Sequence, residues 1–297
     1  MTTFKAMLGT MRVPFLILAP VCVFVGVGTA YWQTNDISLA QVILVLIGAL
    51  SAHICVNVFN EYFDFKSGLD NITRRTPFSG GSGTLPSQPG MEKKILALAV
   101  ASLTVTAAVG IYFVWLRGWQ LLPLGAFGLL LLVTYTIWWV YNPITCLIAP
   151  GLGFGVLMVM GTHFSLTGSY SWTAFTASLV PTFLVSNLLL LNQFPDAEAD
   201  KSIGRRHYPI TIGRKNSSRL YGILLLLTYI SVLAGVFSGL LPRFGLLALL
   251  SAVLAWKAYR GARENSENIP ALTPSMGMNV VINLVTPVLL GIGLFIG

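Results

Sequence analysis

Nine apolar stretches run through this chain, and eight of them contain no charged residue. They cover approximately residues 14–32, 39–60, 95–116, 119–140, 148–167, 171–192, 221–241, 244–258 and 279–296, with Lys257 alone inside the eighth. A helix needs about 20 apolar residues to cross the hydrocarbon of a bilayer. Backbone in lipid must satisfy its own hydrogen bonds, so each stretch reads as a helix. The expected fold is an all-α membrane protein, a bundle of nine transmembrane helices forming a single domain. Only 9% of the residues are charged, against about 25% in a soluble domain.

The first stretch follows Lys5 and Arg12, and its Gly28-Thr29-Ala30 imitates the cleavage site of a secretory signal. Its length and the spans behind it favour a retained first helix. Three cysteines, Cys22, Cys55 and Cys146, are too few for a disulfide framework and read as small buried hydrophobes.

The net charge of +8 raises the question of a nucleic-acid partner, and its distribution removes it. With the N-terminus inside, every Lys and Arg except Arg117 and Arg243 falls on the interior side. That asymmetry is the positive-inside pattern of a membrane protein. It leads us to expect the N-terminus in the cytoplasm and the C-terminus outside, and the lack of a targeting sequence leads us to expect a prokaryotic inner membrane. All acids but Asp36 also lie inside, and most of them fall in two clusters.

The first cluster ends the second stretch. His53, Asn57, Asn60 and Asp64 stand at i, i+4, i+7 and i+11, one face of a helix, and Asp70 follows past a Ser67-Gly68 break. The second, NQFPDAEADKSIGRR (192–206), puts Asn192, Asp196 and Asp200 on one face at the end of the sixth stretch. Both contain Asn-x-x-x-Asp, and four spans separate them, so both face the same side. This reads as a weak parallel duplication of a four-helix unit, about 14–140 and 148–258, with a ninth helix over 279–296.

Carboxylates at i, i+4 repel one another unless something neutralises them. Oxygen ligands in this pattern suit Mg²⁺, which takes one or two carboxylates, waters and substrate phosphates. The asparagines add neutral oxygens or hold a carboxylate in place. Lys66, Arg74, Arg75, Lys201, Arg205 and Arg206 surround the clusters and suit phosphate oxygens. SGGSG (79–83) offers backbone N–H groups to the same phosphate or is a plain flexible loop. Glu61 and Glu198 fall off the main faces and read as solvated. His53 reads as a satisfied interior histidine.

With its continuation NEYFDFKSGLDNITRRTPFSGGSGTLP (60–86), the first cluster resembles the first aspartate-rich motif of the UbiA-type intramembrane prenyltransferases, and the second cluster resembles their second. The likeness runs over nearly the whole chain, including Arg12-Val13-Pro14-Phe15 and Asn142-Pro143. The six-residue step from Asp64 to Asp70 is similar to the 1,4-dihydroxy-2-naphthoate polyprenyltransferase branch of menaquinone synthesis. Pro195 stands where that branch often has Arg, and APGLGFG (149–155) lacks its neighbouring basic and acidic residues.

The resemblance implies a polar cavity opening to the cytoplasmic side. It implies Mg²⁺-dependent transfer of an isoprenoid chain from a prenyl diphosphate to an aromatic acceptor, with 1,4-dihydroxy-2-naphthoate first and another quinone or lipid acceptor second. Asp64 and Asp70 would hold one Mg²⁺ and Asp196 and Asp200 another, assisted by Asn60 and Asn192. Lys66, Arg75, Lys201 and Arg206 would stabilise the leaving diphosphate. Asn57, Arg12, Arg74 and Arg205 complete the substrate contacts, and Tyr135 or Tyr141 would shield the allylic cation. Tyr135, Trp138, Trp139 and Tyr141 equally fit an interfacial aromatic belt, Arg12 a positive-inside anchor and His207 a loop closure. The rival class, a cation-coupled transporter, predicts ionisable groups deeper in the helices.

Overall fold

The computed structural model describes residues 3–297. Each expected apolar stretch is mainly helical, and no β-strand occurs among the described residues. A short amphipathic helix, α1 (Thr3–Met11), precedes a left-handed Arg12 and the 3-10 turn Val13–Phe15. Then come α2 (Leu18–Thr34), α3 (Leu39–Lys66), α4 (Glu92–Arg117) and α5 (Leu122–Thr134). The second half holds α6 (Pro143–Thr167), α7 (Trp172–Ser202), α8 (Gly213–Phe237), α9 (Ala252–Glu264) and α10 (Ile269–Ile296).

Among the described residues, seven helices are long and apolar enough to cross a membrane; the fourth and eighth of the nine expected spans fall short. The fourth is the shorter apolar helix Trp119–Thr134. The eighth begins as a 3-10 stretch, Arg243–Ser251, before α9. Because 3-10 helix rises about 2 Å per residue against about 1.5 Å in α-helix, this segment covers more distance than its residue count implies.

Neighbours in sequence pack as neighbours in space, and α10 closes the ring by packing on both α2 and the Arg243–Glu264 segment. The most buried helices are α2 and α7. Close approach depends on small residues, as expected where lipid removes the hydrophobic drive between helices. A Cβ on Gly26 of α2 would lie 2.6 Å from Thr162 Cβ and 2.7 Å from the Val159 carbonyl of α6.

Helix ends are specified locally. Asn142 caps α6 by accepting from the N–H groups of Ile144 (3.0 Å) and Thr145 (3.3 Å), with Pro143 at the first helical position. Just past Pro150 the helix widens into a π turn at Gly153–Leu157. Proline cannot donate to the helical ladder, and such turns often mark functional sites. Here the turn carries Phe154 into the wall of a large cavity.

Candidate active site

The bundle encloses a cavity of about 700 Å³. One end is apolar, walled by residues such as Val45, Phe113, Leu121 and Leu157. The other lies at the C-terminal ends of α3 and α7, where Asp64, Asp70, Asp196 and Asp200 line it with Arg12 and Arg205. The two clusters read from the sequence therefore face one space.

The first cluster is assembled around Glu61, which is 0% exposed. Its carboxylate accepts from Arg12 Nη2 (2.9 Å) and Nε (3.1 Å), from the Ser82 N–H (2.7 Å) and from the Ser82 hydroxyl (2.7 Å). One acid thus fastens both the segment leading into α2 and the 79–83 loop. The expectation that Glu61 is solvated is overturned. It lies off the Asp64 face because it points to the flanking segments, whose approach the spacing of residues along α3 does not encode. Arg12 also donates to Asn60 Oδ1 (3.1 Å), while Asn57 donates to the Met11 carbonyl (3.0 Å).

The 79–83 loop is no free linker. Gly80, Gly81 and Gly83 all have φ between 70° and 85°, a region glycine occupies without strain. At Gly81 a Cβ would stand 2.9 Å from Asp70 Oδ1, so the loop lies directly on that carboxylate. Ser79 and Gly80 reach Asp196 of the other cluster.

Arg205, just beyond α7, joins the clusters. It donates to Asp200 Oδ1 at 3.0 Å and forms a short ion pair with Asp64. His207 completes Asp200 with an Nε2–Oδ2 contact of 2.9 Å. Burial opposes the charge on Arg205, but Asp64 and Asp200 outweigh it and raise its pKa. Asp70 goes the other way: burial pushes its carboxyl up to about 7, helped by the charges of Glu61 and Asp64.

Several oxygens here have no partner. Asp70 Oδ2, Asp196 Oδ1 and Asn192 Oδ1 are buried without a hydrogen bond, a costly condition that a cation or ligand relieves. The donor set fits a hard divalent ion such as Mg²⁺. Among the described residues no three His, Cys, Asp or Glu converge on one point. An ion held here therefore takes part of its shell from amides, water or substrate oxygens.

Other expected residues stand apart. Lys66 is half exposed and pairs with Glu92 at 2.9 Å, away from the cavity. Lys201 is exposed and lines a shallow surface groove with Glu198. Arg74 and Arg206 are exposed. Arg75 is exposed too, but it turns back to donate to the Asp70 carbonyl at 3.2 Å. Tyr135 lines the cavity, whereas Tyr141 is 43% exposed and outside it. Basic residues flank a helix end whichever way they point, so clustering in sequence did not separate these from Arg205. Glu198 is exposed, as read from its position. His53 is not a satisfied interior histidine: it is buried, yet its Nδ1 has no partner.

A 1,4-dihydroxy-2-naphthoate octaprenyltransferase of Bacillus subtilis (strain 168) is 29% identical over 264 residues, 88% of this chain and 83% of that protein. Among solved structures, the apo UbiA homolog from Aeropyrum pernix K1 matches with a TM-score of 0.73 at 18% identity, covering 96% of this chain and 98% of that one. A UbiA homolog from Archaeoglobus fulgidus bound to GPP and Mg²⁺ matches with a TM-score of 0.66 at 16% identity, over 98% of this chain and 100% of that one. These structures share the helical bundle. The family model described as UbiA prenyltransferase family matches residues 19–281, from α2 well into α10, so this chain is a prenyltransferase that belongs to that family.

Proposed function

We propose that the chain transfers an isoprenoid chain from an allylic prenyl diphosphate to 1,4-dihydroxy-2-naphthoate, with Mg²⁺ as cofactor. The observation that carries this reading is the meeting of two aspartate clusters, with unpartnered oxygens, at the mouth of an apolar cavity. A diphosphate needs the polar mouth, and a prenyl tail needs the apolar wall. The naphthoate acceptor rests on the Bacillus relative and on the six-residue step from Asp64 to Asp70.

In this scheme Asp64, Asp70, Asp196 and Asp200 hold two Mg²⁺ ions, with Asn60 and Asn192 as neutral oxygens. Bound Mg²⁺ supplies positive charge to the leaving diphosphate. Arg205 releases its carboxylates and turns to diphosphate oxygens, joined by Arg12 and Arg75. The apolar wall keeps water from the allylic cation, and Tyr135 offers it a π face. Attack by an electron-rich ring carbon forms the new C–C bond as the C–O bond to diphosphate breaks.

All nine apolar segments cross the bilayer in this reading, as two four-helix units and α10, with the mouth and N-terminus in the cytoplasm and the C-terminus outside. Positive-inside charge supports the orientation. The test is turnover by the purified protein in nanodiscs. Geranyl or farnesyl diphosphate, Mg²⁺ and either 1,4-dihydroxy-2-naphthoate or 4-hydroxybenzoate are supplied, and product is followed by mass spectrometry. Prenylated naphthoate is expected. Product from 4-hydroxybenzoate alone would refute the acceptor, and no Mg²⁺-dependent diphosphate binding would refute the mechanism.

A further inference from the structure

Most unpartnered polar atoms at the cavity belong to the aspartate mouth, but His53 lies deeper. It stands eleven residues before Asp64 on the same face of α3, which is about 16 Å along a helix rising about 1.5 Å per residue. It is 5% exposed, lines the cavity, and its Nδ1 has no hydrogen-bond partner. Phe154, brought in by the π turn of α6, packs edge-on against it with ring centroids 4.6 Å apart, which fixes the imidazole plane. Asn283 of α10 is the other such residue among those described: it lines the cavity, is 1% exposed and leaves Oδ1 unpartnered. A prenyl tail has nothing to offer these atoms. A hydroxylated aromatic does: Asn283 Oδ1 accepts from a phenolic O–H, and so does His53 Nδ1 in the tautomer that carries its proton on Nε2.

We propose that His53 binds the acceptor by taking a hydrogen bond from a ring hydroxyl, and that Asn283 serves the same molecule from α10. This rests on the prenyl-transfer reading and adds the acceptor's half of the site. As the ring carbon attacks, the O–H bond breaks and its proton passes to the imidazole. The oxygen becomes a carbonyl, the C–C bond forms and the C–O bond to diphosphate breaks. Rearomatisation returns the proton from His53 to the oxygen, while the displaced ring substituent leaves without its electron pair.

The experiment compares wild type, His53→Leu and His53→Gln in nanodiscs, with 1,4-dihydroxy-2-naphthoate and the two analogues that each lack one hydroxyl. Calorimetry of geranyl diphosphate with Mg²⁺ serves as the check on folding and on the mouth. Losing one buried hydrogen bond should raise the acceptor KM about tenfold or more in His53→Leu, with geranyl diphosphate binding unchanged. One analogue should be as poor for wild type as the full acceptor is for His53→Leu. His53→Leu should no longer distinguish that analogue from the full acceptor, and His53→Gln should recover part of the discrimination. Unchanged discrimination in His53→Leu overturns the assignment while leaving prenyl transfer intact. Wild type that turns over no naphthoate overturns both. If His53→Leu binds no geranyl diphosphate, His53→Gln alone decides, and full wild-type kinetics there would also overturn the assignment.

Discussion

Arg205 reaches from the end of α7 to pair with Asp64 on α3, bridging helices whose paired residues lie 141 positions apart. It holds Asp200 at the same time, 3.0 Å away, so one guanidinium neutralises a carboxylate from each cluster. Removing one partner of a buried pair costs about 3–5 kcal/mol, because the other charge is left uncompensated. Without divalent metal, Arg205→Ala should therefore melt well below wild type. Mg²⁺ should recover much of the difference by neutralising the same carboxylates. Thermal melts in detergent with EDTA and with Mg²⁺ decide this; an equal deficit in both would show that Arg205 is ordinary packing.

Glu61 predicts a different phenotype from the aspartates. Its four hydrogen bonds hold Arg12 and the 79–83 loop rather than facing open cavity. Glu61→Ala leaves Arg12 without its carboxylate and should destabilise the protein by about 3–5 kcal/mol. Glu198→Ala, at an exposed site, should change stability by about 0.5 kcal/mol or less. Protease susceptibility of the 79–83 loop, with melting temperature, compares them. Equal behaviour of the two variants would remove Glu61 from its structural role.

Asp64→Ala and Asp196→Ala should insert and fold yet lose about 100- to 1,000-fold in turnover, as expected when charge stabilisation of a leaving group is removed. Lys66→Ala and Lys201→Ala should stay within about threefold of wild type, because both side chains are exposed and neither lines the cavity. Wild-type turnover in either aspartate variant would end the two-metal scheme. A large loss in Lys66→Ala would mean that it leaves Glu92 and reaches substrate.

These contrasts mark what was legible in the sequence. Charge-free runs revealed the helices because lipid leaves the backbone no other choice, and the period of Asn60, Asp64, Asn192, Asp196 and Asp200 revealed a shared face. The 3-10 opening of the Arg243–Glu264 segment was hidden, since it depends on packing against α10. Among the basic residues, composition could not distinguish Arg205, turned inward, from Arg206 beside it, whose N–H goes to the Val140 carbonyl while its side chain stays in the open. The role of Glu61 required knowing that the chain before α2 folds back to it.

Metal binding should depend on pH through Asp70. Burial, with Glu61 and Asp64 nearby, raises its carboxyl from 3.8 to about 7 in the metal-free protein. A raised acid pKa means the fold favours the protonated form, so metal-free stability declines as pH rises from the ordinary carboxylate range through about 7. Mg²⁺ requires the carboxylate and must displace that proton below about 7. Its affinity should therefore fall up to about tenfold for each pH unit below 7 and level off above. Calorimetry of Mg²⁺ across pH 5.5–8.5 reads the slope. Asp70→Asn should bind more weakly and lose the part of that slope carried by its own proton; an unchanged slope after the substitution would assign the proton elsewhere.

On the proposed function, the apolar end of the cavity would receive the prenyl tail and limit its length. Gly110 of α4 and Gly125 of α5 both line it, and a Cβ on either meets nothing within 4 Å. Side chains are therefore tolerated there and project into space otherwise open to a prenyl tail. Gly125→Leu should leave transfer from geranyl diphosphate within about threefold of wild type, because the mouth is untouched and the helix gains a better helix former. The same variant should lose activity with chains long enough to reach that wall, and its product distribution should shift to fewer isoprene units. Competition among geranyl, farnesyl and octaprenyl diphosphates, resolved by mass spectrometry, gives the answer. Parallel losses on all three donors would mean the leucine disturbs the bundle, whereas an unchanged distribution would place the tail along another path between the helices.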